Sequence, residues 1–320
     1  DIAVAVSGKN HDVVHLILLN RHGSEVWHQK RKITRSYQGR PDGGGRFAAL
    51  ADIDRDGKKE IIAFTSAGYA WKPRGIIVYD QGGRELWRYL IGPSPTSIAV
   101  WDNGKKRPDI ILGAYSPGNG NKERHNQTDD MHTYVFSIDG YGRTNWVKQL
   151  GTHFTGTKVF LADLDGSGSS KLYANKWTAY DYRKDEGAIY RFSPEGRIIN
   201  RFEIRDSIKS VTACRMRNRP SSLYASDKNG TLYKLDDRLR TVSRKSMNRH
   251  ARPLIINLVA VHDYDGDKKE DVLVYSYNRL QQGKNPRSDS GPRNKVFYTD
   301  MKYQILSGDL SNTIKEVSIA

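Results

Sequence analysis

The chain has 320 residues, with 52 Lys and Arg against 36 Asp and Glu, giving a formal charge of +16. Mean hydropathy is −0.70 and 37% of residues are hydrophobic, and no apolar run approaches the ~20 residues of a membrane-spanning helix. A single cysteine, Cys214, excludes an internal disulfide and a cysteine-built metal cage.

The chain starts at Asp1 without a Met, which reads as a mature or excised piece. Residues 2–6 are an apolar β-type run. His11 and His15 follow, four apart on a turn and a strand, which argues against a metal pair of the helical kind. The next apolar run reaches a polar turn at Gly23, and Trp27 stands four residues beyond it. The same arrangement returns at Gly83 with Trp87 and at Gly142 with Trp146, and once more at Gly196, where Asn200 replaces the Trp. Each reads as a hairpin. Recurrence of the tryptophans at one outer-strand position argues for packing between units rather than a ligand platform.

A second signal interleaves with the first. Asp52, Asp54, Asp56, Lys58 and Glu60 stand at positions one, three, five, seven and nine of a loop, and Asp263, Asp265, Asp267, Lys269 and Asp271 repeat that spacing. Asp163, Asp165, Ser167 and Ser169 make a third copy, with Lys171 where the ninth-position acid belongs. Carboxylates at alternate positions around a glycine wrap a hard cation, with a backbone carbonyl at seven, so the expected ion is Ca2+. The Asp163 site should be weaker or empty. Residues 102–109 keep an acid only at nine, with Trp101 and Lys105 where ligands belong, and 214–218 hold no ligand set.

Joined, the two signals define a unit of four strands: an inner run, the Asp-rich loop, a second strand, a variable connection, a third strand, the Gly turn and a fourth strand. Second strands recur at 2–6, 60–65, 109–114, 171–175, 222–226 and 271–275, making six units along one domain, 1–320. The expected fold is an all-β, six-bladed β-propeller with four-stranded antiparallel blades. Residues 315–320 resemble a first strand, so they are expected to close the ring by pairing in the first blade; a seventh blade outside this chain is compatible with the pattern.

The Asp-rich loops at 52–60 and 263–271, each followed by a β-branched strand, resemble the FG-GAP/VCBS-type propeller repeats of integrin α-subunits and many bacterial surface proteins. The Gly-to-Trp hairpins look like the blade-ending motif of quinoprotein-like (PQQ-type) propellers. The resemblance implies calcium and the fold, and leaves the function open among adhesion modules, sensor ectodomains, lyases and scaffolds.

The connections between second and third strands carry Tyr69, Trp71, Lys72, Arg74, Trp177, Tyr182, Arg183 and Arg279. Aromatic faces beside cations suit acidic sugars. Ten of the 36 acids belong to the metal-type loops, leaving 26 against 52 cations elsewhere, a surface that favours polyanions. Asp129, Asp130, His125 and His132 form the one polar cluster with acid–base potential, and no nucleophile motif or nucleic-acid motif accompanies them. The expectation is an extracellular or periplasmic recognition module for an acidic polysaccharide or protein ligand, the alternative a polysaccharide lyase.

Overall fold

The computed structural model describes residues 2–7, 13–32, 47–65, 74–118, 124–179, 187–213, 220–247, 254–281 and 296–318. These residues hold 23 strands and no helix. The first sheet is β1 (Ile2–Ser7), β2 (Val13–Leu19) and β3 (Glu25–Lys32) in order. The next is β4 (Phe47–Ala51), β5 (Glu60–Phe64), β6 (Gly75–Tyr79) and β7 (Glu85–Leu90). Then come β8 (Ser94–Trp101), β9 (Asp109–Tyr115), β10 (His132–Ile138) and β11 (Thr144–Thr152). They share an eight-stranded sheet with β12 (Thr155–Ala162), β13 (Lys171–Thr178), β14 (Gly187–Phe192) and β15 (Ile198–Ile204) through the bridge of Tyr115 to Gly156. Two four-stranded sheets complete the series: β16 (Ile208–Ala213), β17 (Leu223–Asp227), β18 (Thr231–Leu235) and β19 (Thr241–Ser246), then β20 (Leu254–His262), β21 (Asp271–Gln281), β22 (Val296–Ser307) and β23 (Thr313–Ser318). The expected second strands 2–6, 60–65, 109–114, 171–175, 222–226 and 271–275 fall on β1, β5, β9, β13, β17 and β21.

Two compact units divide the chain, one of residues 1–161, 170–182 and 192–199, the other of 162–169, 183–191 and 200–320. In the first, β5 and β6 are buried at every position while the outer strand β7 alternates. Middle strands are sandwiched between neighbouring sheets, so Glu60–Phe64 and Gly75–Tyr79 read as continuous apolar runs, and outer strands with one wet face read as alternation. Ile62, Ile76, Val78, Ile110, Leu112 and Phe136 form the core between the second and third sheets. In the second unit, Tyr224, Leu232, Ile256, Val272, Val274 and Leu306 do the same between the last two.

The tryptophans make the joints. A Cβ on Gly83 would lie 2.9 Å from the Trp27 ring, one on Gly142 2.9 Å from Trp87, and one on Gly196 2.5 Å from Trp146. Each glycine has φ near +80°, so the turn demands it twice over, for conformation and for room. The Trp87 indole donates to the Gly140 carbonyl at 3.1 Å and that of Trp146 to Pro194 at 2.9 Å; beside Trp27, Gln29 Nε2 donates to Gly83 at 3.1 Å. At the last two turns a leucine takes the glycine's position. Leu239 and Leu310 have φ of 60° and 64°, donate their N–H to Asp236 and Ser307 as Gly83 does to Asp80, and are 3% exposed. The residues at the Trp position of the preceding sheets are Asn200 and Ser243. Where the turn carries leucine, the preceding sheet has a smaller polar residue at the Trp position.

This exchange corrects the expectation for the C-terminus. β23 is the outer strand of the last sheet, with Ser318 opposite Lys302 and Val317 opposite Tyr303, rather than an inner strand of the first. The 307–312 turn lacks the glycine-to-Trp signal, so nothing in the sequence marks the strand after it as an outer one. Ile319 and Ala320 lie outside the described residues. β21 also runs on to Gln281, into the stretch expected to be a connection.

Because Trp146 and Gly196 form one joint, Trp146→Ala should destabilise by about 3 kcal/mol, and Gly196→Ala by at least about 1 kcal/mol. Chemical denaturation of both single variants and the double variant should give a coupling of at least about 0.5 kcal/mol. Simple additivity would show that the two do not share a joint.

Candidate metal centres

All three Asp-rich loops bend twice into the left-handed region, at positions four and six. These are Arg55 and Gly57 (φ 62° and 86°), Gly166 and Gly168 (70° and 78°), and Gly266 and Lys268 (83° and 64°). The sequence therefore shows glycine at four, at six or at both, and Arg55 and Lys268 occupy φ values that cost an L-residue about 1 kcal/mol. The double bend turns alternate side chains inward. Asp52, Asp54 and Glu60 each place an oxygen within 4.8 Å of the others, and so do Asp263, Asp265 and Asp271.

Backbone donors orient both sets. Gly57 N–H donates to Asp52 Oδ2 at 3.0 Å and Ile53 N–H to Glu60 Oε2 at 2.9 Å. In the other loop Lys268 N–H donates to Asp263 Oδ2 at 2.9 Å and Tyr264 N–H to Asp271 Oδ2 at 2.9 Å. Asp56 and Asp267 accept from the N–H of Lys58 and Lys269, both at 2.7 Å, and stand outside the convergent trios. Burial raises the Glu60 carboxyl above its ordinary value, and Asp54 and Asp56 add to this; Asp271 is raised in the same way by burial, Asp265 and Asp267. Asp52 Oδ1 is buried without a hydrogen-bond partner among the described residues. A carboxylate oxygen shut off from water amid like charges fits a hard divalent cation, which would reverse the repulsion.

The other two loops solve the charge differently. Asp163 turns both oxygens to its own backbone, accepting from Ser167 at 3.0 Å and Gly168 at 2.7 Å, and no convergent trio of acids forms there among the described residues. In the 102–109 loop the ninth-position Asp109 is 2% exposed, and Lys105 Nζ lies 2.8 Å from its Oδ2. Asn103, Ser137 and Asn145 complete the shell at 2.7, 3.2 and 3.0 Å. The ammonium occupies the role of the ion.

The loops also deliver a plug. Ile53 and Leu164, at position two, are each 1% exposed. Ile53 belongs to the core between the second and third sheets, with its carbonyl against Gly140, and the Leu164 carbonyl accepts from Ser221 N–H at 3.0 Å.

Of the expected ligand residues, the two described with their side chains, Arg74 and Trp177, are packed into the fold. Tyr69, Trp71, Lys72, Tyr182 and Arg183, and the side chain of Arg279, lie outside the described residues. Arg74 is 1% exposed, donating to the Gly92 carbonyl at 2.8 Å and lying 3.9 Å from Asp130, so it ties the second sheet to the third instead of meeting solvent. Trp177 stacks on Tyr115 at 5.3 Å and covers Gly156, where any Cβ would collide with it. It packs, for the same reason as the recurrent tryptophans. His132 Nδ1 is 2.8 Å from Asp129 Oδ1, and the Tyr134 hydroxyl 3.4 Å from the same oxygen. Burial acts to raise Asp129, yet the hydrogen bonds from His132 and the Met131 N–H hold it below its ordinary value.

No family model matches the chain, and no curated protein does. Among solved structures it is similar to Sqt1 from Chaetomium thermophilum, at 12% identity over 98% of this chain and 70% of that one, with a TM-score of 0.50. It is also similar to the Pan2 WD40 domain of Neurospora crassa (11% identity, 86% and 67% covered, TM-score 0.44). A third is the quinohemoprotein alcohol dehydrogenase of Comamonas testosteroni (14%, 99% and 59%, TM-score 0.46). The likeness is one of fold: antiparallel all-β sheets of the β-propeller kind.

If Lys105 substitutes for an ion, Lys105→Met should destabilise by about 1 kcal/mol, the neighbouring amides and hydroxyl softening the loss. Thermal melts should show Lys105→Arg close to the parent. Equal stability of Lys105→Met and the parent would remove the ammonium from this role.

Proposed function

We propose that this chain is a six-bladed, calcium-stabilised propeller of the FG-GAP/VCBS type, working outside the cytoplasm as a recognition module for an acidic glycan or an acidic protein surface. One observation carries the reading: the fold turns acids inward far more than cations. Glu60, Asp109, Asp130, Asp227, Glu270 and Asp271 are all buried, against Arg74 and Lys176 as the buried cations among the described residues. Asp80, Asp139 and Asp236 each close their own hairpin turn, accepting from the backbone and side chain of Arg84, Arg143 and Arg240. Solvent therefore meets a more positive surface than the formal +16 conveys. Calcium at the two carboxylate trios would add to that charge, and in the Asp52 loop would also hold the Ile53 plug.

Titration with Ca2+ followed by calorimetry should find two sites, Asp54→Ala removing one and Asp265→Ala the other. Stripping with EDTA should lower the melting temperature by several degrees through linkage. Melting that ignores EDTA and millimolar Ca2+ alike would sink the calcium reading. For the ligand, a polyuronate and a sulfated polysaccharide should both bind at low salt and lose at least tenfold in affinity between about 50 and 300 mM NaCl, as screening weakens exposed charge pairs. Absence of binding to either at the lower salt would overturn the polyanion reading.

A further inference from the structure

We propose that His15 and His28 form a site for a divalent transition metal, zinc or copper, separate in place and chemistry from the oxygen-lined loops. The two residues stand on neighbouring strands, β2 and β3. Ile17 is opposite His28 and Lys30 opposite His15, which puts the imidazoles diagonally on one face of the first sheet. Leu16 and Leu18 on the other face pack into the core with Ile61 and Tyr79, so the histidine face is the one turned away from that core. His15 Nδ1 lies 2.7 Å from His28 Nε2, with ring centroids 5.0 Å apart. On its far side, His28 Nδ1 is 3.8 Å from the Glu25 carboxylate.

Two ring nitrogens that face each other in a neutral pair share one proton, and each is a ligand atom once that proton leaves the gap. A tetrahedral ion with metal–nitrogen bonds of about 2.0–2.1 Å holds two imidazole nitrogens about 3.3 Å apart. Opening the pair by about 0.6 Å is within reach of side-chain rotation for two half-buried rings. With both rings neutral no proton need be released, because the ring proton moves to the other nitrogen of the same imidazole. Glu25 then faces the His28 nitrogen opposite the metal, the carboxylate–imidazole–metal order that orients a ligand and strengthens its donation. Imidazole selects zinc, copper and nickel over calcium and magnesium, so the carboxylate loops do not compete for the same ion. Lys30 is exposed, and its flexible stem lets the ammonium sit in water away from a bound cation. Two coordination positions are left for water or for a donor from another molecule.

The protein should first be saturated with millimolar Ca2+, then titrated with Cu2+ and with Zn2+. Electron paramagnetic resonance of the Cu2+ form should show one ion with two nitrogen ligands, and His15→Asn and His28→Asn should each reduce the pattern and weaken both metals at least about 100-fold. Glu25→Gln should weaken them about tenfold, while Ca2+-dependent melting stays unchanged in all three, which also shows that the variants fold. The same two-nitrogen spectrum in the histidine variants, or no Cu2+ bound more tightly than about 0.1 mM, would overturn the proposal and leave the pair as a hydrogen bond only.

Discussion

Filling the wedge between neighbouring sheets is the constraint on which the rest of this structure depends. Strands such as β5 and β6 are apolar on both faces, so each sheet is stable only when stacked on another. The joint is closed from the periphery by Trp27, Trp87 and Trp146 on glycine turns, or by Leu239 and Leu310 on their own turns. It is closed from the loop end by Ile53 and Leu164. Fully burying one such aliphatic side chain is worth about 2 kcal/mol, comparable with the cost of the left-handed residues that place it.

Carboxylates shape the loops between first and second strands, and the chain answers their charge differently from loop to loop. In the Asp52 and Asp263 loops three acids converge within 4.8 Å of one another, a set that would suit an external cation. The Asp109 loop supplies its own, Lys105. Glu270, beside Asp271, is held by the Tyr224 hydroxyl at 2.8 Å and the Ser222 N–H at 3.1 Å, with Lys234 Nζ at 4.0 Å. Lys105 and the Tyr224 hydroxyl thus set a charge or a donor against a buried carboxylate.

The repeat is legible because both of its markers are side-chain requirements of backbone geometry. Gly83, Gly142 and Gly196 are compelled by φ and by the ring above them, and the alternate acids by the double bend. Where the chain meets the same geometry with different residues, the markers vanish. Leu239 and Leu310 hide two turns, and with them the place of β23, although Asp236, Arg238 and Arg240 keep the polar frame of Asp80–Arg84. Arg74 and Trp177 look like ligand residues because polarity and aromaticity on a connection say nothing of burial. His28 does not stand out as the neighbour of His15, since cross-strand partners 13 residues apart leave no local spacing to read.

The two kinds of joint also carry an address. A sheet ending in Trp fits only a neighbour whose turn is glycine, for a leucine there would occupy the same volume. A sheet with Asn or Ser at that position stands before a turn that carries leucine. Similar hairpins repeated along one chain offer many wrong partners during folding. Bulk at the joints lets a Trp-bearing sheet reject the two leucine turns by shape alone, which separates the tryptophan joints from the last two.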